Sequence, residues 1–138
     1  MTAGMNPLDI KRWIDKAVEY AKESNKPIMS VMHFAGLKSV SESVKNPILY
    51  WNSNFVTSLN LIETMLEFNC LTFVFSSSAT IYGTSNKNPI NERGLIKPIN
   101  PYGHTKACIE TLLRNIFERD KKGWKIENLR YFNPVGAH

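Results

Sequence analysis

The chain alternates between two periodicities, and that alternation restricts the fold more than any single residue does. Ile28–Phe34, Leu71–Ser76 and Ile126–Phe132 are short and mostly apolar, the pattern of buried strands. Between them run two long amphipathic segments, Pro47–Phe68 and Pro101–Asp120; the first carries Leu49, Phe55, Leu59, Ile62, Met65 and Leu66 at helical spacing. Each opens on Asn-Pro, which predicts Asn46 and Asn100 as N-caps with proline at the first helical position. A further stripe of Ile10, Ile14, Ala17, Val18 and Ala21 predicts a helix over Leu8–Ser24. Strands alternating with long helices predict an α/β fold with a parallel sheet and right-handed crossovers. Such sheets bind ligands at the carboxyl ends of their strands, where Gly36, Ser78 and Phe132-Asn133 fall.

Two motifs bear on that edge. Tyr102 and Lys106 are four positions apart in Asn100-Pro101-Tyr102-Gly103-His104-Thr105-Lys106, so they share a helix face. A free phenol ionises near pH 10, roughly, and a neighbouring cation favours the phenolate. With a hydroxyl donor close by, such a pair supplies what proton transfer near neutral pH requires. The strand end Phe75-Ser76-Ser77-Ser78-Ala79-Thr80-Ile81-Tyr82-Gly83 offers that hydroxyl. On its own the Tyr-x-x-x-Lys spacing is common, and an exposed tyrosine and lysine with no shared task would satisfy it equally.

Composition sets the outer limits. With 138 residues and 43% hydrophobic content, the chain holds one globular domain at most. No apolar run reaches membrane-spanning length and the N-terminus lacks a signal-peptide core, which predicts a cytoplasmic protein without membrane attachment. Cys70 and Cys108 give neither a disulfide framework nor metal-ligand spacing, so both are expected as small buried apolar residues and no metal is expected. The net charge of +5 is scattered. Its one cluster, Lys121, Lys122 and Lys125, falls at a helix-to-strand turn without interleaved aromatics, which argues against nucleic acid. A basic surface does suit an anionic nucleotide ligand.

Two more blocks complete a pattern: His33-Phe34-Ala35-Gly36-Leu37-Lys38-Ser39-Val40-Ser41-Glu42-Ser43-Val44 and Leu129-Arg130-Tyr131-Phe132-Asn133-Pro134-Val135-Gly136-Ala137-His138. With the serine run and the Tyr-Lys pair, the chain resembles the extended short-chain dehydrogenase/reductases, and within them the UDP-glucose 4-epimerase branch. Ala79-Thr80 follow Ser78 where the related sugar-nucleotide dehydratases carry an acidic pair, which favours the epimerase branch.

The resemblance implies a Rossmann-type sheet, NAD as cofactor, a UDP-sugar substrate and a homodimer through helices 47–68 and 101–120. It implies Tyr102 as the base at the sugar 4-hydroxyl, and Lys106 as the partner of the nicotinamide ribose that tunes the phenol. Ser78 would bond the same sugar oxygen. Phe34, Ala35, Gly36 and Lys38 would line the cofactor, joined by Asn54, Ser76 and Phe132, and Asn133 would touch the substrate diphosphate. His33 is expected as a packed strand residue. Ser53 stands where some members carry a further asparagine, and His104 replaces a more usual lysine.

The family also carries a Gly-x-x-Gly-x-x-Gly turn that cradles the cofactor pyrophosphate. None of the seven glycines here forms it, and Gly4 stands alone. The expectation is therefore a partial NAD-binding epimerase domain over 1–138, lacking the N-terminal Gly-rich unit and the C-terminal substrate domain, and inactive alone. A truncated reading frame, a partial gene model and a degenerate copy fit it equally.

Overall fold

Three parallel strands carry the fold, in the spatial order β1 (Val31–His33), β2 (Thr72–Ser78) and β3 (Lys125–Tyr131). The computed structural model describes residues 7–84 and 89–136; Gly4, Ala137, His138 and the side chain of Ile10 lie outside the described residues. Among the described residues five α-helices accompany the sheet: α1 (Pro7–Glu23), α2 (Val40–Lys45), α3 (Pro47–Tyr50), α4 (Thr57–Glu67) and α5 (Pro101–Arg119).

Side chains alternate along β2, so Phe73 and Phe75 point to one face and are fully buried there. Leu61, Ile62 and Met65 of α4, Ile109 and Leu113 of α5, and Trp124 close over them as the core. The opposite face is open among the described residues: Met32, next to Val74 in the ladder, is 64% exposed.

The parallel α/β architecture agrees with the sequence, but several boundaries differ. The first strand is shorter than Ile28–Phe34. Its register would set Ile28 opposite Cys70, where the chain is still turning out of α4 through Asn69 at φ 53°, so the ladder starts at Val31. The segment Pro47–Phe68 is not one α-helix. A π-helical stretch over Trp51–Val56 separates α3 from α4. Two hydroxyls explain it: Thr57 Oγ1 donates to the Asn52 carbonyl at 3.3 Å and Ser58 Oγ to the Asn54 carbonyl at 2.6 Å. Such back-bonding competes with the regular ladder and deforms helices.

Asn46 makes no side-chain cap, although Pro47 does open α3. Asn100 caps as expected, its Oδ1 accepting from the Gly103 N–H at 2.8 Å. Helix α2 has a local cause in Ser39, whose Oγ accepts from the Glu42 N–H at 3.3 Å. Cys70 is buried, whereas Cys108 is only half-buried; both are free thiols.

Candidate active site at the carboxyl edge of the sheet

The start of α5 is fixed against the turn that follows β2. Gly103 has no room for a side chain, because a Cβ there would stand 2.9 Å from the Thr80 carbonyl oxygen. With Asn100 capping and Pro101 preset for the first turn, this contact sets where Tyr102 and Lys106 lie over the strand ends. Tyr102 is half-buried, its ring edge-on to the fully buried Tyr50 with centroids 6.4 Å apart.

Lys106 is 5% exposed. Its Nζ donates to the Ser76 carbonyl at 2.8 Å and lies 4.8 Å from the Phe75 ring centroid and 5.9 Å from that of Tyr102. Burial lowers its pKa to about 8, since desolvation disfavours the ammonium. An ammonium has three donors, and the strand carbonyl takes one.

Ser78 ends β2 and caps a 3₁₀ turn over Ala79–Tyr82. Its Oγ accepts from the Thr80 N–H at 3.2 Å and from the Thr80 hydroxyl at 3.0 Å. Both lone pairs are thereby engaged and its own proton is left to donate. The Ser76 side chain is half-buried, and its main chain is what holds Lys106.

The loop after β1 completes the edge. Gly36 has φ +153°, and a Cβ there would meet Asn54 Oδ1 at 3.0 Å and Lys106 Nζ at 3.8 Å, so glycine keeps the backbone open beside the ammonium. Asn54 is 2% exposed and its amide is engaged with protein: Oδ1 accepts from the Leu37 N–H at 2.8 Å, and Nδ2 donates to the Leu37 carbonyl at 3.0 Å. Any role of Asn54 toward a ligand is therefore through the loop it holds. Ala35 is half-buried and Lys38 exposed on that loop. Phe34 and Tyr131, at the ends of β1 and β3, stand with ring centroids 6.3 Å apart. Phe132 and Asn133 are exposed just beyond β3.

His33 is buried, its ring 6.0 Å from those of Phe73 and Phe75, as a packed strand residue should be. Its pKa is lowered to about 4, first by burial and then by the charge of Lys106.

One anchor of the site escaped the sequence reading. Arg130 of β3 makes a bidentate pair with Glu110, Nε to Oε1 at 3.0 Å and Nη2 to Oε2 at 2.7 Å. Its Nη1 donates to the Tyr82 hydroxyl and to the Glu92 carbonyl, both at 2.7 Å. Glu110 follows Lys106 by one helical step, and a carboxylate on a sheet-facing helix position is the signal that pointed to a buried pair. An apolar cleft of about 440 Å³ between α1, β1 and α4 borders Ala35 and His33, but neither Tyr102 nor Lys106 lines it. Among the described residues no cluster of three His, Cys, Asp or Glu suits a metal, and no helix is long and apolar enough to cross a membrane.

A parallel sheet presenting a Tyr-x-x-x-Lys helix, a donor serine and a glycine loop at its carboxyl edge defines a Rossmann-type segment. The chain belongs to the NAD dependent epimerase/dehydratase family, whose profile matches residues 9–138. It is 51% identical over 109 residues to UDP-glucose 4-epimerase 2 of Arabidopsis thaliana, a match covering 79% of this chain and 31% of that protein. A bifunctional UDP-glucose 4-epimerase and UDP-xylose 4-epimerase of the same plant is 50% identical over 115 residues, covering 83% of this chain and 32% of that protein.

Among solved structures, the UDP-glucose 4-epimerase of Stenotrophomonas maltophila with bound NAD and formylated UDP-arabinopyranose superposes with a TM-score of 0.84 at 40% identity, over 96% of this chain and 38% of that one. The Bifidobacterium longum enzyme in complex with NAD+ and UDP gives 0.79 at 44% identity, over 90% of this chain and 37% of that one. The chain thus spans about a third of the length of these relatives.

Proposed function

We propose that residues 1–138 form a partial NAD-binding epimerase domain and supply the proton-transfer centre of a UDP-glucose 4-epimerase, which interconverts UDP-glucose and UDP-galactose. The observation that carries this reading is the convergence of Lys106, fixed on the Ser76 carbonyl, with Tyr102 on the same face of α5 and with the donor hydroxyl of Ser78. The family match and the NAD-bound relatives support NAD as the cofactor. The residues present fit its nicotinamide end. Gly36 leaves backbone room, Lys106 keeps donors beyond Ser76 for a ribose, and Phe34 and Phe132 offer exposed aromatic faces. Lys38 stands on the same loop.

When bound, NAD supplies reversible acceptance of hydride from the sugar C4. Tyr102 removes the 4-hydroxyl proton and returns it after the resulting 4-keto sugar has rotated. Lys106 holds positive charge beside that phenol, and Ser78 donates to the sugar oxygen. Asn133, exposed just beyond β3, would touch the substrate diphosphate. The working form is a cytoplasmic homodimer joined through helices 47–68 and 101–120.

The test is a chimera in which this chain is joined to the Gly-rich unit and substrate domain of a relative. Tyr102→Phe should lower its turnover by about 10² to 10⁴, the range for loss of a general acid–base. Near-normal turnover would remove Tyr102 from the role. A second reading, a broader sugar-nucleotide 4-epimerase, is favoured by the bifunctional relative, and product analysis with UDP-xylose beside UDP-galactose separates the two. On its own the 138-residue chain should not hold NAD tightly, and micromolar or tighter binding by calorimetry would overturn this view, since none of its glycines falls in a Gly-x-x-Gly-x-x-Gly pyrophosphate motif.

A further inference from the structure

Three buried side chains join the site's two halves. His33 Nε2 lies 2.8 Å from Ser58 Oγ, and that hydroxyl donates to the Asn54 carbonyl at 2.6 Å. A hydroxyl has one proton; with it committed to Asn54, the Ser58 oxygen can only accept from His33. That puts a proton on Nε2, and with the ring kept neutral by burial and by the charge of Lys106 it is the Nε2–H tautomer. Asn54 then grips both backbone groups of Leu37 through its amide, and its Nδ2 also reaches Thr105 Oγ1 at 3.4 Å. Thr105 in turn donates to the Tyr102 carbonyl at 2.7 Å.

The helix is deformed to allow this. Asn54 and its carbonyl lie within the π-helical stretch Trp51–Val56, and single-turn π segments inside helices commonly serve functional geometry. His33, Ser58 and Asn54 are all at most 5% exposed, so no water competes for the relay.

We propose that His33, Ser58 and Asn54 form a positioning relay that locks the loop at Gly36-Leu37 against the Tyr102–Lys106 helix. It rests on the reading of that loop as the cofactor's lining, yet its geometry belongs to the ligand-free chain. The relay fixes the Asn54 main chain from beneath while the Asn54 amide holds the loop above. Gly36 is thereby kept beside Lys106 Nζ, which a Cβ at that position would meet at 3.8 Å.

The experiment uses the ligand-free 138-residue protein. Long-range ¹H–¹⁵N spectra of the histidine ring should show His33 as the neutral Nε2–H tautomer at pH 7; an Nδ1–H tautomer or an imidazolium overturns the relay. Amide exchange is then followed at Leu37, with Phe75 in the central strand reporting global opening. In Ser58→Ala, Leu37 should exchange roughly three- to tenfold faster than in the parent after correction for Phe75, the range for losing one hydrogen bond. Ser58→Thr, which keeps the hydroxyl, should restore protection. Equal acceleration of Leu37 and Phe75 in Ser58→Ala, or no rescue by threonine, means packing alone and rejects the proposal. Should Ser58→Ala unfold, His33→Gln, which retains a donor at the Nε2 position, against His33→Leu gives the same comparison. Because no NAD is added, failure of NAD binding would sink the cofactor reading while leaving these outcomes intact.

Discussion

Lys106 Nζ donates to the Ser76 carbonyl at 2.8 Å, so the buried ammonium is held by a neutral strand oxygen. Among the described residues no carboxylate forms an ion pair with it. A charge buried without a counter-ion titrates early, and its pKa is lowered to about 8. The unfolded chain keeps this proton to about pH 10.4, whereas the folded chain releases it near 8. Between those limits the unfolded state binds more protons, so stability rises with pH. Urea titrations at pH 8 and 10 should show the parent gaining on Lys106→Met by about 2–3 kcal/mol at most. Parallel changes in the two proteins would mean that the ammonium is not buried in solution.

His33 gives a second window on the acid side. Its folded pKa is lowered to about 4, by burial and then by Lys106, against an ordinary value of 6.5. Between those values the unfolded chain is protonated and the folded one is not, so stability falls as pH drops from 6.5 toward 4. In His33→Gln that loss should shrink by on the order of 2–3 kcal/mol. Thermal melts of both proteins at pH 7 and 4.5 check it, and an unchanged acid loss in the variant would place the sensitivity elsewhere.

Much of this arrangement was legible in the chain. The switch between apolar runs and helical stripes gave the parallel sheet, and Asn100-Pro101 with Tyr102 and Lys106 gave the start of α5. The π-helical stretch was not, because six residues of wider winding barely shift an apolar stripe, and Thr57 and Ser58 look like ordinary helix residues. Ser39-Val40-Ser41-Glu42 spells a capping box, yet the helix it starts is only 6 residues long, too short for periodicity to register. Asn54 reads as a ligand contact in sequence and proves to be engaged with Leu37, a partner 17 positions away. Arg130 and Glu110 meet across 20 positions through the fold alone.

That last pair should matter to stability. The side chain of Glu110 is 1% exposed and that of Arg130 18%, and each completes the other's hydrogen bonds. Arg130→Ala leaves the buried Glu110 carboxylate alone and should cost about 3–5 kcal/mol in urea unfolding, whereas Glu110→Ala should cost less, because Arg130 is partly exposed and keeps its bonds to Tyr82 and Glu92. The double variant Glu110→Leu with Arg130→Met should cost clearly less than the sum, because both charges leave together. Additive losses would show that the pair is not coupled in solution.

The helix surfaces lead us to expect self-association. On 47–68 and 101–120, Leu59 is half-buried, with Leu66 48% and Phe117 37% exposed, more apolar surface than a solvated helix face needs. Packing those faces against a second copy removes them from water and yields a closed pair if the contact is two-fold symmetric. Sedimentation at tens of micromolar should therefore show a dimer, and Leu66→Glu with Phe117→Glu should shift it toward monomer by placing charge in the contact. Exposed apolar residues also occur away from these helices, on Met29 at 74% and Met32 at 64%, so Met29→Lys with Met32→Lys serves as the control. Dissociation by the control pair but not by the helix pair would move the interface to the β1 edge. A monodisperse monomer of the parent would exclude the dimer altogether.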